Sequence, residues 1–247
     1  MEQLNLMTGQ SKTEIAVKFL QDHEPKDGYF LGFSGGKDSI VLYDLAVRSG
    51  VNFKAYYSAT GIDPPEVVKF IRDQYPSVEW LRPKTSFWAA IKNKGFPTKM
   101  ARWCCDYLKK DPSKDIDLKH RLMGLRAEES RNRAGRPQID KFRKWMIYKP
   151  IFHWLEWELW DYIERNELKY CSLYDDGFGR IGCVCCPFLC RKNKTQLNKA
   201  KERWPTYFKA LEHAMSELYY DREWYRQKAQ GRAYTFEEFM SNWYNGI

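Results

Sequence analysis

The chain has 247 residues, with 41 Lys+Arg against 32 Asp+Glu for a formal net charge of +9, and is 43% hydrophobic and 16% aromatic. That length suits one domain with an appendage, or two small domains, around a sizeable core, and the apolar content excludes a disordered chain, a collagen-like repeat and a coiled coil. No apolar run approaches the roughly 20 residues of a membrane span, and the opening MEQLNLMTGQSK lacks a secretory apolar stretch, so a cytoplasmic location is expected.

The first half reads as alternating strand and helix. Gly28–Phe33 (GYFLGF) is a short apolar run, and Ile40, Val41, Leu42, Leu45 and Ala46 recur at helical spacing over Ser39–Ser49 until Gly50 ends the helix. A second strand is expected over Val51–Ser58. Asp63-Pro64-Pro65 then starts a helix that runs to about Tyr75, since prolines are tolerated in a first turn. A third strand follows at Val78–Arg82 and a helix at Ser86–Lys92. Later strands are expected around Arg121–Leu125 and Trp145–Tyr148, and an amphipathic helix over Leu155–Arg165. From Lys194 the pattern is helical, with Trp204, Tyr207, Phe208, Leu211, Met215, Leu218 and Tyr219 forming a packing stripe. The expected fold is α/β, a parallel twisted sheet with helices on both faces, with a helical C-terminal extension. Such sheets bind ligands at the carboxyl ends of their strands. The expected division is 1–187 for the sheet-containing domain and 188–247 for a basic, aromatic, helical segment.

Ser34-Gly35-Gly36-Lys37-Asp38-Ser39 sits between the first strand and the first helix. Two glycines allow a tight turn that points successive N–H groups inward, and the helix N-terminus adds its positive end, so the loop forms an anion cradle. Lys37 brings a mobile charge and the serines bring hydroxyls. It is not a Walker A loop, because Leu31 and Asp38 occupy that motif's Gly and Ser/Thr places, and no third glycine completes a dinucleotide fingerprint. Asp38 suits the Mg²⁺ side of a phosphate site or a helix cap. Arg126, after an apolar strand, could clamp a phosphate oxygen in bidentate fashion, or be a surface arginine.

SGGKDS in this context resembles the pyrophosphate loop of the adenine-nucleotide alpha-hydrolase superfamily, the ATP pyrophosphatases. Thr60-Gly61-Ile62-Asp63-Pro64-Pro65-Glu66, Gly124-Leu125-Arg126-Ala127-Glu128-Glu129-Ser130 and Lys149-Pro150-Ile151-Phe152-His153-Trp154 before Trp160-Asp161-Tyr162-Ile163 are similar to elements of its phosphoadenosine phosphosulfate (PAPS) reductase family. The resemblance implies that Ser34, Gly35, Gly36, Lys37, Asp38, Ser39, Thr60 and Gly61 bind ATP. Lys37, Asp38 and Arg126 would serve cleavage between the α and β phosphates, with Mg²⁺.

Seven cysteines, an odd number in a chain with no signal, argue against a disulfide framework. Cys104 and Cys105 are adjacent, Cys171 stands alone, and Cys183, Cys185, Cys186 and Cys190 crowd together. Cys104-Cys105 with Cys183-x-x-Cys186 resembles the arrangement by which adenylylsulfate (APS) reductases hold a [4Fe-4S] cluster. Structural zinc is the competing reading of four thiols, although tandem cysteines are a poor zinc spacing. Cys185 lies inside the CxxC, and Cys190 is left as a sulfur carrier, an alternative ligand or a structural thiol.

The sulfonucleotide reductases carry a catalytic cysteine in a C-terminal Glu-Cys-Gly-Leu-His element and an altered phosphate loop. Here no cysteine follows Cys190 and SGGKDS is intact. The nearest resemblance is therefore to the iron–sulfur ATP pyrophosphatase of DNA phosphorothioation systems, with a cysteine desulfurase as sulfur donor and nucleic acid as acceptor. APS/PAPS reduction, tRNA thiolation and a non-catalytic nucleic-acid-binding module are the alternatives. Nine basic residues against three acidic ones between Arg121 and Lys149, and seven against one between Arg191 and Lys209, suit a polyanionic partner or a solvated surface. Arg131, Arg133 and Arg136 are the expected contacts beyond ATP.

Overall fold

The computed structural model describes residues 9–192, 194–221 and 235–245. The side chains of 190–192, hence Cys190, Arg191 and Lys192, lie outside the described set. In chain order the elements are α1 (Lys12–Asp22), β1 (Tyr29–Phe33), α2 (Lys37–Ser49), β2 (Phe53–Ser58), α3 (Pro65–Gln74), β3 (Glu79–Leu81), α4 (Phe87–Lys94), α5 (Trp103–Cys105), a π-helical turn (Asp106–Lys110), β4 (His120–Leu122), α6 (Arg131–Ala134), β5 (Ile139–Phe142), β6 (Trp145–Tyr148), α7 (Glu156–Arg165), α8 (Pro187–Lys192), α9 (Lys194–Arg203), α10 (Pro205–Asp221) and a last described helix, Phe236–Asn245. None of the described helices is long and apolar enough to cross a membrane.

The chain divides into two compact units, each assembled from several stretches. The first takes Met1–Tyr57, Pro65–Leu81 and Asp115–Ile181, the second Ser58–Pro64, Arg82–Lys114 and Gly182–Ile247. The sheet has six strands in the order β3-β2-β1-β4-β6-β5. β1 is parallel to β2 and β4, and β4 is parallel to β6, with Leu31 opposite both Ala55 and Leu122. Leu31 and Leu122, with Ile40, Leu42 and Leu45 of α2, are wholly buried. Burial on this scale, at roughly 1.5–3 kcal/mol for each large apolar side chain, holds α2 against the sheet. α1 and α7 pack on α2.

Among the elements of this unit that escaped the pattern reading are α1, β5 and α6, the last a short helix where a loop was expected at Arg131 and Arg133. α1 starts with a capping box, in which the Ser11 side chain accepts the Glu14 N–H and Glu14 accepts the Ser11 N–H. β5 pairs antiparallel with β6 across a two-residue turn at Arg143-Lys144, with Arg143 at φ 55°. β4 is also shorter than expected, because the chain turns away at Gly124, where a side chain would come within 3.0 Å of the Asp38 carbonyl.

In the second unit α4 packs on α10, α8 and α10 on α9, and the last described helix on α8 and α10. α10 buries Phe208, Leu211, Met215, Leu218 and Tyr219, five of the seven stripe positions read from the sequence; Tyr207 is half-buried, and Trp204, buried, precedes the helix.

Candidate active site

In an open sheet of this order the strand sequence reverses between β1 and β4, and the crevice beyond their carboxyl ends is where such folds bind ligands. Ser34–Lys37 leaves β1 at that point, and Gly124–Arg126 leaves β4. Gly35 turns at φ 70°, and a side chain there would approach Ile71 of α3 to 2.9 Å, so glycine is required twice over. Inside the loop the Ser34 N–H donates to Ser39 Oγ (3.2 Å), the two hydroxyls are 3.2 Å apart, and Ser39 Oγ donates to the Gly36 carbonyl (2.8 Å). Gly36 is the N-cap of α2 and has no side chain to cap it. The first helical amide, of Lys37, instead donates to the Tyr174 hydroxyl (2.9 Å).

Lys37 is buried, and its ammonium meets Glu156 (3.3 Å), donates to the Gly179 carbonyl (3.1 Å) and lies 5.4 Å from the centre of the Tyr174 ring. Asp38 is held from β4: Arg126 Nε donates to its Oδ1 at 2.6 Å. The Arg126 side chain is 4% exposed. It also pairs with Glu128 and reaches the Trp154 carbonyl at 3.4 Å. Burial alone would lower the guanidinium's affinity for its proton, but the bonds and charges of Asp38 and Glu128 outweigh it and raise the pKa. The Arg126 fork is therefore occupied by carboxylates. Beyond it Arg133 pairs with Glu129, Arg136 stands 4.0 Å from Asp140, and Arg131 is exposed.

Thr60, Gly61 and all four expected cluster cysteines belong to the second unit. The Thr60 N–H donates to Asp63 Oδ2 (2.8 Å), and its hydroxyl lies 3.8 Å from Cys183 Sγ; Gly61 turns at φ 76°. Cys183 also lies 3.9 Å from Asp63 Oδ1, and the Val184 N–H donates to the Ile62 carbonyl (2.8 Å), so the CxxC segment is fastened to the TGID segment. Cys104 and Cys105 share a hydrogen bond. That bond pushes Cys105 down, with help from Arg102 and against burial, while the bond, burial and the charges of Cys105, Cys183 and Cys186 push Cys104 up. Burial raises Cys183 to about 11, opposed by the Lys109 ammonium and assisted by Asp63. Cys185 is buried apart, with its Sγ 3.5 Å from the Tyr207 carbonyl. Cys171 is buried in the first unit. Among the described residues no three His, Cys, Asp or Glu side chains are gathered into a ready single-ion site.

Residues 28–189 match the phosphoadenosine phosphosulfate reductase domain. The chain belongs to that family. Among its relatives is an uncharacterized protein of Methanocaldococcus jannaschii, 31% identical over 217 residues that cover 82% of this chain and 45% of the relative. Another protein of that organism is 28% identical over 77% of this chain and 48% of its own length, so the chain spans about half the length of these two relatives. The adenosine 5'-phosphosulfate reductase 1 of Bacillus subtilis is 27% identical over 62% of this chain and 70% of its own. A phosphoadenylyl-sulfate reductase from Candida auris, solved as a phosphate complex, superimposes with a TM-score of 0.55 at 18% identity. The match covers 72% of this chain and 90% of that one, and shows a shared fold.

Sequence reasoning did not single out Tyr174, Glu156 or Gly179, all of which meet Lys37, because none lies in a motif and their elements sit far along the chain. Glu128 stood in the quoted GLRAEES segment, without a role. Gly124 stood there too, likewise without a role.

Proposed function

We propose that this PAPS reductase-family chain is an iron–sulfur ATP pyrophosphatase that adenylylates an acceptor oxygen for replacement by sulfur, with nucleic acid as acceptor, as in DNA phosphorothioation. The observation that carries the reading is the intact Ser34–Ser39 cradle at the β1–α2 junction, with a buried lysine and an arginine-held aspartate beside it. An acceptor oxygen attacks the α phosphorus of ATP, the bond to the oxygen bridging α and β breaks, and pyrophosphate leaves. The persulfide sulfur that a cysteine desulfurase supplies, reduced to sulfide by a thiol donor, then bonds to the acceptor phosphorus, and AMP leaves with the former acceptor oxygen. The loop amides and the Lys37 ammonium stabilise the charge that builds on pyrophosphate, which is positioning and electrostatics rather than acid–base work. Arg126 fixes the Asp38 carboxylate through Oδ1, and Asp38 would be the residue to hold Mg²⁺, which would supply charge neutralisation for the leaving group.

Cys104, Cys105, Cys183 and Cys186 would hold a [4Fe-4S] cluster. The support is that they lie in one unit, that the thiols at 104, 183 and 186 act on one another electrostatically, and that Cys185, the competing member of the CxxC segment, is turned to a backbone carbonyl. A cluster held there would supply iron of Lewis-acid or redox character, together with a cross-link between distant segments. Arg131, Arg133 and Arg136 suit backbone phosphates of the acceptor.

The deciding assay is pyrophosphate release from ATP. Lys37→Ala and Asp38→Ala are expected to abolish it while the circular dichroism spectrum stays that of the parent, and undiminished release sinks the assignment. Sulfonucleotide reduction is the second reading, favoured by the names of relatives such as the Bacillus subtilis reductase. Sulfite formation from APS or PAPS with a thioredoxin-like donor would establish it instead.

A further inference from the structure

Tyr174 ends a 3₁₀ turn, Ser172–Tyr174, whose backbone is closed on both sides: its N–H donates to the Cys171 carbonyl (3.1 Å), and its carbonyl accepts from Gly177 (3.0 Å), which turns at φ 77°. Its ring stands edge-on to Trp160 of α7, with centroids 5.0 Å apart and planes at 85°. These contacts aim the phenol at the glycine turn of the phosphate loop. The hydroxyl accepts the Lys37 N–H at 2.9 Å and lies 3.4 Å from the place a Gly36 side chain would take.

We propose that Tyr174 is a phosphate-binding residue of this site, its hydroxyl donating a hydrogen bond to the pyrophosphate portion of the nucleotide while it accepts the Lys37 amide. The inference rests on the reading of Ser34–Ser39 as a pyrophosphate cradle. A phenol carries one donor and two acceptor positions. The Lys37 N–H uses an acceptor position, so the O–H remains to be given to an anion. Burial, with Asp38 and Glu156 nearby, keeps the phenol protonated well above neutral pH, against the smaller effect of the Lys37 N–H, so the group never presents a negative charge to phosphate. A carboxylate at the same point, the usual helix-capping chemistry, would satisfy the amide but repel the ligand. The tyrosine therefore caps a helix whose N-cap residue is glycine and leaves the site open to an anion.

The test is calorimetric titration of the full chain with inorganic pyrophosphate and, separately, with AMP. Tyr174→Phe keeps the ring and its Trp160 contact and removes only the oxygen. It is expected to weaken pyrophosphate binding about tenfold or more, the range of one hydrogen bond to a charged group, and to leave AMP binding unchanged. Trp160→Phe, which alters the packing and not the hydroxyl, is expected to bind pyrophosphate like the parent. Equal or tighter pyrophosphate binding by Tyr174→Phe overturns the proposal. So does a parallel loss for AMP, or an equal loss in Trp160→Phe, since each marks a purely structural role. If the parent chain itself does not bind pyrophosphate, the cradle reading falls and Tyr174 with it. Binding by the parent that Tyr174→Phe leaves untouched removes Tyr174 alone.

Discussion

Arg126→Ala is expected to destabilise the first unit by about 2–3 kcal/mol, as the structure's own contacts imply. The guanidinium is 4% exposed and gives one charge-assisted bond to Asp38, a second contact to Glu128 and a longer one to the Trp154 carbonyl. A hydrogen bond to a charged partner contributes about 1.5–3 kcal/mol, which sets the scale of the Asp38 bond. The Glu128 share is smaller, under about 1 kcal/mol, because that carboxylate is 43% exposed and water replaces much of what it loses. Asp38, 27% exposed, is also partly rehydrated, so the total stays below the roughly 3–5 kcal/mol for breaking a fully buried pair. Arg126→Lys should recover part of the loss, since an ammonium can face Asp38 but cannot offer a planar fork to two carboxylates. The assay is urea denaturation followed by tryptophan fluorescence, comparing midpoints at a common slope, at low and high salt. A buried contact is little screened, so the loss should persist in high salt. A midpoint within about 0.5 kcal/mol of the parent, the ordinary scatter of surface substitutions, or a loss that disappears in salt, would refute the argument.

Gly35→Ala should cost about 1–3 kcal/mol, read as a lowered thermal midpoint, because it combines a left-handed φ with a 2.9 Å approach to Ile71. Gly50→Ala, at φ 71° in open space, should cost only about 1 kcal/mol. Equal losses would show that backbone conformation alone matters. Lys149→Met removes a buried ammonium from Asp140 (3.0 Å) and the Pro137 carbonyl (2.6 Å), and is expected to speed amide hydrogen exchange along β5 relative to β1. Protein purified without oxygen should be brown, with about four irons per chain. Cys183→Ala should lose most of that iron and Cys185→Ala should keep it, whereas a colourless zinc protein would refute the cluster.

The layout of the sheet was legible wherever one short-range signal sufficed. β6 falls on Trp145–Tyr148 as the apolar run predicts, and α2 ends at Gly50 because only a residue tolerating φ 71° closes it there. What was missed depended on partners distant in sequence or on an undervalued local signal. β5 is a polar four-residue strand that exists because β6 pairs with it, and α1 is announced by Ser11 and Glu14 rather than by periodicity. The turn at Ser34–Gly36 between β1 and α2 was legible because its glycines and the apolar runs on either side are local signals. Its neighbours were not, since Tyr174 and Glu156 reach Lys37 from more than a hundred residues away. Arg126 illustrates the gap: its place after an apolar strand was legible, but that it is buried, with its fork on Asp38 and Glu128, could only come from the folded arrangement.

The two cations of the site differ in a way that divides their work. Lys37 is paired with a carboxylate that is 53% exposed, so exchanging Glu156 for a phosphate returns Glu156 to water at small cost. Arg126 is paired with a carboxylate on the helix that carries the loop, and releasing it would leave a buried guanidinium without its partner. An arriving polyanion would therefore draw the lysine and not the arginine. On the proposed reading, Lys37 would be the charge that follows the leaving group, while Arg126 would keep Asp38 in place. A site arranged this way needs little reorganisation between the ligand-free and ligand-bound states, and electrostatic catalysis depends on that preorganisation.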